Sequence, residues 1–151
     1  MSEQHPVVDD PTLGRLARAT TDLEDGIILT HDWYAGTIET DAGDLELMIE
    51  GTAPSQITPL LPRVRDVVAR IDALQRVASD AVVTAFSTGE PEPHELDEAA
   101  EDLTLETIEA AADGTIVLHL LDTCGSHFPE GYWPAVHLGE GDTIEQVTVE
   151  S

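Results

Sequence analysis

His119, Asp122, Cys124, His127 and His137 put three of the chain's six histidines and its only cysteine within 19 residues. Imidazole nitrogen, thiolate sulfur and carboxylate oxygen are the donors that hold zinc, and a catalytic zinc keeps three protein ligands and an open position for water. The set would suit a metal-binding protein or a metal-dependent hydrolase. Its spacing is not that of a zinc finger or ribbon, because Cys124-x-x-His127 is a single half-pair. The same half-pair admits a thiol nucleophile beside an imidazole, but the surrounding acids disfavour a thiolate. A polar Gly/Pro-rich loop carrying scattered ligand-type residues accounts for the set more simply, since a real site needs three or four converging ligands. The sequence has no Gly-x-Ser-x-Gly elbow, no phosphate-cradling glycine loop and no dinucleotide fingerprint.

These residues need strands to position them. Residues 115–121 alternate, with Ile116, Leu118 and Leu120 on one face and Val117, His119 and Leu121 on the other. Residues 133–138 and 144–149 read as two further strands around Gly139-Glu140-Gly141-Asp142. Leu103, Leu105 and Thr107 alternate in another. Upstream, residues 32–40 and 45–50 flank the turn Asp41-Ala42-Gly43-Asp44 and predict a hairpin with Leu45, Leu47 and Ile49 facing the core. Residues 58–86 carry a broad apolar stripe at helical spacing, with Thr58 and Pro59 as start signals, and predict one long helix. Arg63, Arg65, Arg70 and Arg76 border that stripe, where their heads are expected to meet acids rather than form an anion site. Residues 94–102 predict a short acidic surface helix. Leu13, Leu16 and Leu23 suggest a further short amphipathic helix over residues 11–25, after a flexible acidic lead-in at residues 1–10. The expected fold is thus α+β, one domain over residues 11–151. An antiparallel sheet of about five strands has the long helix packed on one face, in the order hairpin, long helix, short helix, C-terminal meander.

Composition sets the environment. The chain has no lysine, six arginines and 31 acids in 151 residues, a formal charge of −25. Acids occur in nearly every segment, so no single tail holds the charge. Self-repulsion of this size strains a compact fold in dilute buffer, while molar salt shortens the Debye length to about 3 Å and screens it. The composition therefore points to a halophilic, cytoplasmic, haloarchaeal-type protein with solvated monovalent cations at its surface. Direct nucleic-acid binding would need clustered basic residues. Mimicry of nucleic acid would need an acidic stripe that stands out from its background. The acids of residues 90–109 do not match a calcium-binding loop. No apolar run approaches the ~20 residues of a membrane span, and the start of the chain lacks a signal-peptide pattern. One cysteine allows no internal disulfide, as expected inside a cell.

Trp33-Tyr34-Ala35-Gly36-Thr37-Ile38, the helical block, Asp113-Gly114-Thr115 leading into Leu118-His119-Leu120-Leu121-Asp122, and Tyr132-Trp133 before a strand and the Gly139–Asp142 turn resemble a prokaryotic family of domains of unknown function, the one numbered 2262. The resemblance spans roughly residues 30–150. The family pattern has Gly-His directly after the aromatic pair, where this chain has Pro134-Ala135 and a displaced His137. It implies a fold and lends no activity. The expected function is a non-enzymatic binding or interaction domain for a protein or small ligand. Trp33, Tyr34, Tyr132 and Trp133, four of six aromatics, are the candidate contact surface, although large aromatics are usually well buried. The alternative is the metal site described above, with zinc as the cofactor. No nucleic-acid or membrane partner is expected.

Overall fold

A computed structural model describes residues 6–40, 43–123 and 127–151. Eight strands lie side by side in chain order: β1 (Val8–Asp10), β2 (Gly14–Asp22), β3 (Ile28–Thr40), β4 (Gly43–Glu50), β5 (Leu103–Ala110), β6 (Ile116–Asp122), β7 (Trp133–Leu138) and β8 (Ile144–Glu150). Neighbours are antiparallel except β4 and β5, which run parallel. The connection between those two carries α1 (Pro54–Ile57), a 3-10 turn, α2 (Leu61–Ala69), α3 (Ile71–Phe86) and α4 (Pro93–Asp102).

This corrects the expected five-stranded antiparallel sheet under one long helix. The sheet is mixed because the helical block must bury its apolar stripe on one face of the sheet. The crossover then brings the chain back at the end where β4 began, so β5 runs parallel to β4. The helix is broken. Arg70 leaves helical geometry (φ −114°, ψ 25°) between α2 and α3, and helical structure starts earlier than Thr58, at Pro54. Thr58 is not an N-cap; its hydroxyl donates back to the Pro54 carbonyl at 2.7 Å. The helix expected over residues 11–25 is instead β2, preceded by a turn. The end of the expected lead-in, Val8–Asp10, is β1. The acidic surface helix is present as α4.

The core lies between the helices and one sheet face. Val64, Val67, Leu74, Ala78 and Val82 meet Leu45, Leu47 and Ile49 from β4, Leu105 and Ile108 from β5, Leu118 and Leu120 from β6, and Val136 and Leu138 from β7. Leu16 closes the β2 side by lying over Gly36. A Cβ at Gly36 would stand 2.6 Å from the Leu16 side chain, so the glycine is what lets β2 pack there. The opposite sheet face, set by alternation, carries Trp33, Met48, Glu109, Val117, His119, Leu121, Trp133 and His137.

Tyr34 belongs to the core, with no exposed surface, and its hydroxyl has no hydrogen-bond partner among the described residues. A buried hydroxyl left unpaired costs about 1–3 kcal/mol of desolvation. Tyr34→Phe removes that cost while keeping the ring. The variant is expected to gain about 1 kcal/mol, a rise of roughly 2–4 °C in Tm. A thermal melt of the two proteins checks this, and a lower midpoint would mean that the hydroxyl is bonded through water.

The arginines bordering the helical stripe do meet carboxylates. Arg63 donates to Asp142 (2.7 Å) and to the Gly139 carbonyl (3.0 Å), tying α2 to the β7–β8 turn. Arg70 pairs with Asp66 (2.6 Å) and with the same Asp142. Burial alone would push the Asp142 carboxyl up, but the two guanidiniums outweigh it and hold it below the usual range. Arg76 bridges Asp80 (2.9 Å) and Asp97 (2.8 Å), joining α3 to α4. Arg65 reaches Asp10 (2.6 Å), joining α2 to β1. These contacts use the few positive charges for tertiary ties between elements. No helix among the described residues is long and apolar enough to cross a membrane.

Candidate functional site

The residues singled out in the sequence separate into different surroundings. His119, on β6, stands opposite Thr107 on β5 and Ala135 on β7. Its Nδ1 accepts the indole Nε1–H of Trp133 at 3.0 Å, which places its own proton on Nε2. That Nε2–H donates to Glu109 at 2.9 Å. The His119 contact holds the Glu109 carboxyl below its ordinary range, against the burial that would raise it, and the nearby His137 acts in the same direction. Both ring nitrogens of His119 are therefore engaged, and the indole of Trp133 is fixed by its N–H.

His137 shares the face of His119, diagonally across the β6–β7 pair, but its Nε2 bonds the Thr148 hydroxyl on β8 at 2.9 Å. His127 lies beyond β6 and bonds Asp102, at the end of α4, at 2.9 Å. Asp122 accepts the backbone N–H groups of His127 (2.8 Å) and Phe128 (3.0 Å) and so ties these two residues to the end of β6. Cys124 lies outside the described residues. Among the described residues, no three His, Cys, Asp or Glu side chains come together as a metal would require. Each histidine of the set is partnered by a different group.

The aromatic set divides as well. Tyr34 is in the core, on the helical side of the sheet. Trp33 lies on the opposite face and stacks on His31 (ring centroids 4.3 Å apart, planes at 18°), at the β3 side of the sheet. Trp133 is on the same face but four strands away on β7, next to the half-exposed Tyr132. Trp33 and Trp133 therefore do not form one patch.

Around Trp133 the face is concave. Met48, Glu106, Thr107, His119, Leu121, Gly131, Tyr132 and Trp133 enclose a groove of about 290 Å³. It opens because β5 is irregular between Leu105 and Thr107 and β4 pairs with β5 only from Glu46 onward. Its walls are mostly aromatic, aliphatic and thioether surface, with one carboxylate (Glu106), two hydroxyls (Thr107 and Tyr132) and the His119 imidazole, and no arginine lines it. A second hollow of about 370 Å³ lies under Phe86 and Phe128, between α3, α4 and the start of β5, with His127 at its rim. A cleft of about 620 Å³ lies where β4 and β5 diverge, lined in part by Glu39, Asp44, Asp72 and Glu106.

Glu109, Met48 and Asp102 were not singled out from the sequence. Glu109 carried a signal, a lone acid between Ile108 and Ala110 in a strand. Its partner becomes visible only when the β5–β6 register sets it opposite Val117, two residues from His119. Comparisons of the chain with protein-family models, curated proteins and solved structures find no match. The functional reading therefore rests on this geometry.

Proposed function

We propose that the protein is a non-enzymatic binding domain that takes a small apolar or aromatic ligand in the groove beside Trp133, and that its acidic surface suits it to a salt-rich cytoplasm. The observation that carries the first part is the Trp133–His119–Glu109 chain. The indole takes Nδ1 and Glu109 takes Nε2, so a metal or a proton on Nδ1 would first have to displace Trp133, and the structure holds His119 as a support for the indole. The same chain holds the indole in one orientation before any ligand arrives. Preorganisation of this kind lowers the ordering cost of binding. The groove is at the small end of ligand sites, predominantly apolar with a few polar groups, as such sites usually are.

The test uses Trp33→Phe as the background, so that Trp133 is the only indole. Titration with small neutral aromatic and aliphatic compounds in molar KCl is expected to give a saturable change in emission for at least one class. His119→Ala, which frees the indole, should weaken that binding roughly tenfold, about 1.4 kcal/mol. Leu121→Glu, which puts a second carboxylate in the wall, should weaken it at least as much. The proposal fails if no compound gives saturation, or if both substitutions leave the titration unchanged.

A further inference from the structure

Residues 20–30 are an unbroken run of eleven exposed positions. They form the outer half of the β2–β3 hairpin, paired through Thr20–Thr30, Thr21–Leu29 and Asp22–Ile28. The Leu23 N–H closes its end on the Ile27 carbonyl at 2.7 Å. β1 pairs with β2 only from Gly14 to Leu16, and β4 pairs with β3 only from Trp33 onward. Beyond those points both edges of the hairpin are open among the described residues, so it projects from the sheet as a two-stranded arm. Arg18 pins its base: a guanidinium on a side chain only 9% exposed donates to the carbonyls of His31 and Thr52. Thr21 and His31 bond across it at 2.7 Å.

Leu23, Ile27, Ile28 and Leu29 on this arm are 46, 58, 57 and 47% exposed. Strand alternation sends Ile28 and Leu29 to opposite faces, so neither face of the arm is polar. A two-stranded ribbon by itself is marginal in water, and a surface cluster of large aliphatic side chains marks a contact site.

Charge selects the occupant. Residues 11–21 and 26–31 contain no Asp or Glu, in a chain that holds 31 of them. The arm's acids, Asp22, Glu24 and Asp25, are confined to its tip, and Arg15 and Arg18 stand toward its base. Copies carrying −25 each repel wherever acids cover the surface. The acid-free flanks of the arm are where two copies meet the least repulsion. A lipid surface would be met first by the acidic tip. We infer that the arms of two copies pack on one another about a twofold axis, each covering the other's apolar residues, and that the protein is a dimer in molar salt. The contact is isologous, so every arm substitution acts twice. The arm does not line the Trp133 groove, and the inference stands apart from the ligand proposal.

Light scattering after size exclusion in molar KCl, with reductant present, tests it. The wild type is expected at twice the 16.2 kDa chain mass, falling toward one chain on dilution. Ile28→Glu and Leu29→Glu should each raise the dissociation constant by roughly tenfold or more while leaving the circular dichroism spectrum unchanged. Val149→Glu, at an exposed position on β8, should leave the mass as it was. The inference is overturned by a wild type that is monomeric at every concentration. It is also overturned by a dimer that survives both arm substitutions, or by a monomer whose arm carries it onto phosphatidylcholine vesicles.

Discussion

Moving from dilute buffer to molar KCl is expected to raise the unfolding midpoint by roughly 10 °C or more. The cause is local as well as global. On α4, Asp97 and Glu101 are four residues apart, as are Glu98 and Asp102, so two like-charge pairs share one short helix. Arg76 offsets Asp97 and His127 meets Asp102, while Glu98 and Glu101 have no basic partner on their helix. Neither α3 nor α4 has a basic residue in its last turn, so the negative ends of these helix dipoles are not compensated from within the helix. Over the whole chain, −25 spread on a fold of this size costs several kcal/mol more than in the expanded unfolded state when screening is weak. Salt that shortens the screening length to about 3 Å removes most of that difference. Circular dichroism melts in a KCl series, set beside a sucrose series of equal osmolality, measure it. Sucrose strengthens burial without screening charge. A midpoint that moves no further in KCl than in sucrose would show that repulsion is not what limits stability.

Parts of this architecture were legible because alternation and turn chemistry are local. β7 was expected over residues 133–138 and is found there, and Leu45, Leu47 and Ile49 face the core as their period of two requires. β2 was misread because Leu13 and Leu16 are three apart, a helical interval. Both are buried, yet Gly14 at φ +81° turns the chain between them, so they reach one core from a turn and a strand. The break at Arg70 has no glycine or proline to announce it. Arg70 there pairs with Asp142, a contact 72 residues away in sequence that no window could contain. The candidate site divides the same way. His119 stood out by type, but what it does is set by Glu109 and Trp133, which reach it across three strands. The cluster looked like a metal site because ligand types were close in sequence. Across two strands and their connection, closeness in sequence does not make side chains converge: His119, His127 and His137 each found another partner.

Asp10, placed by its sequence neighbours in a frayed lead-in, is expected to be worth about 3 kcal/mol, so Asp10→Ala should lower the midpoint by roughly 6–12 °C. Its side chain is 2% exposed and pairs with Arg65 at 2.6 Å, while its other oxygen takes the N–H groups of Thr12 and Leu13, each at 2.9 Å. The Arg65 bond is the main cause that lowers its pKa from 3.8 to about 2, against the burial that would raise it. A lowered pKa means that the unfolded chain binds the proton more readily. The charged form therefore stabilises the fold fully above the unfolded value of 3.8, and this contribution is lost as pH falls through about 2. A displacement of this size corresponds to roughly 2 kcal/mol, and the unpaired backbone donors supply the rest. Acid also neutralises the other carboxylates and relieves their repulsion, so the wild-type profile alone would hide the effect. The informative quantity is the difference between wild type and Asp10→Asn, which keeps an acceptor for the backbone and loses the charge. That difference should be level above about pH 5 and shrink toward zero near pH 2. Salt separates the two kinds of electrostatics. The Asp10 carboxylate is buried although Arg65 is 40% exposed, so the pair is screened less than the open surface, and most of the Asp10→Asn deficit should persist in molar KCl while overall stability climbs. Chemical denaturation at low and high salt measures both at once. A deficit that vanishes with salt would place Asp10 among the surface charges rather than at the anchor between β1 and α2.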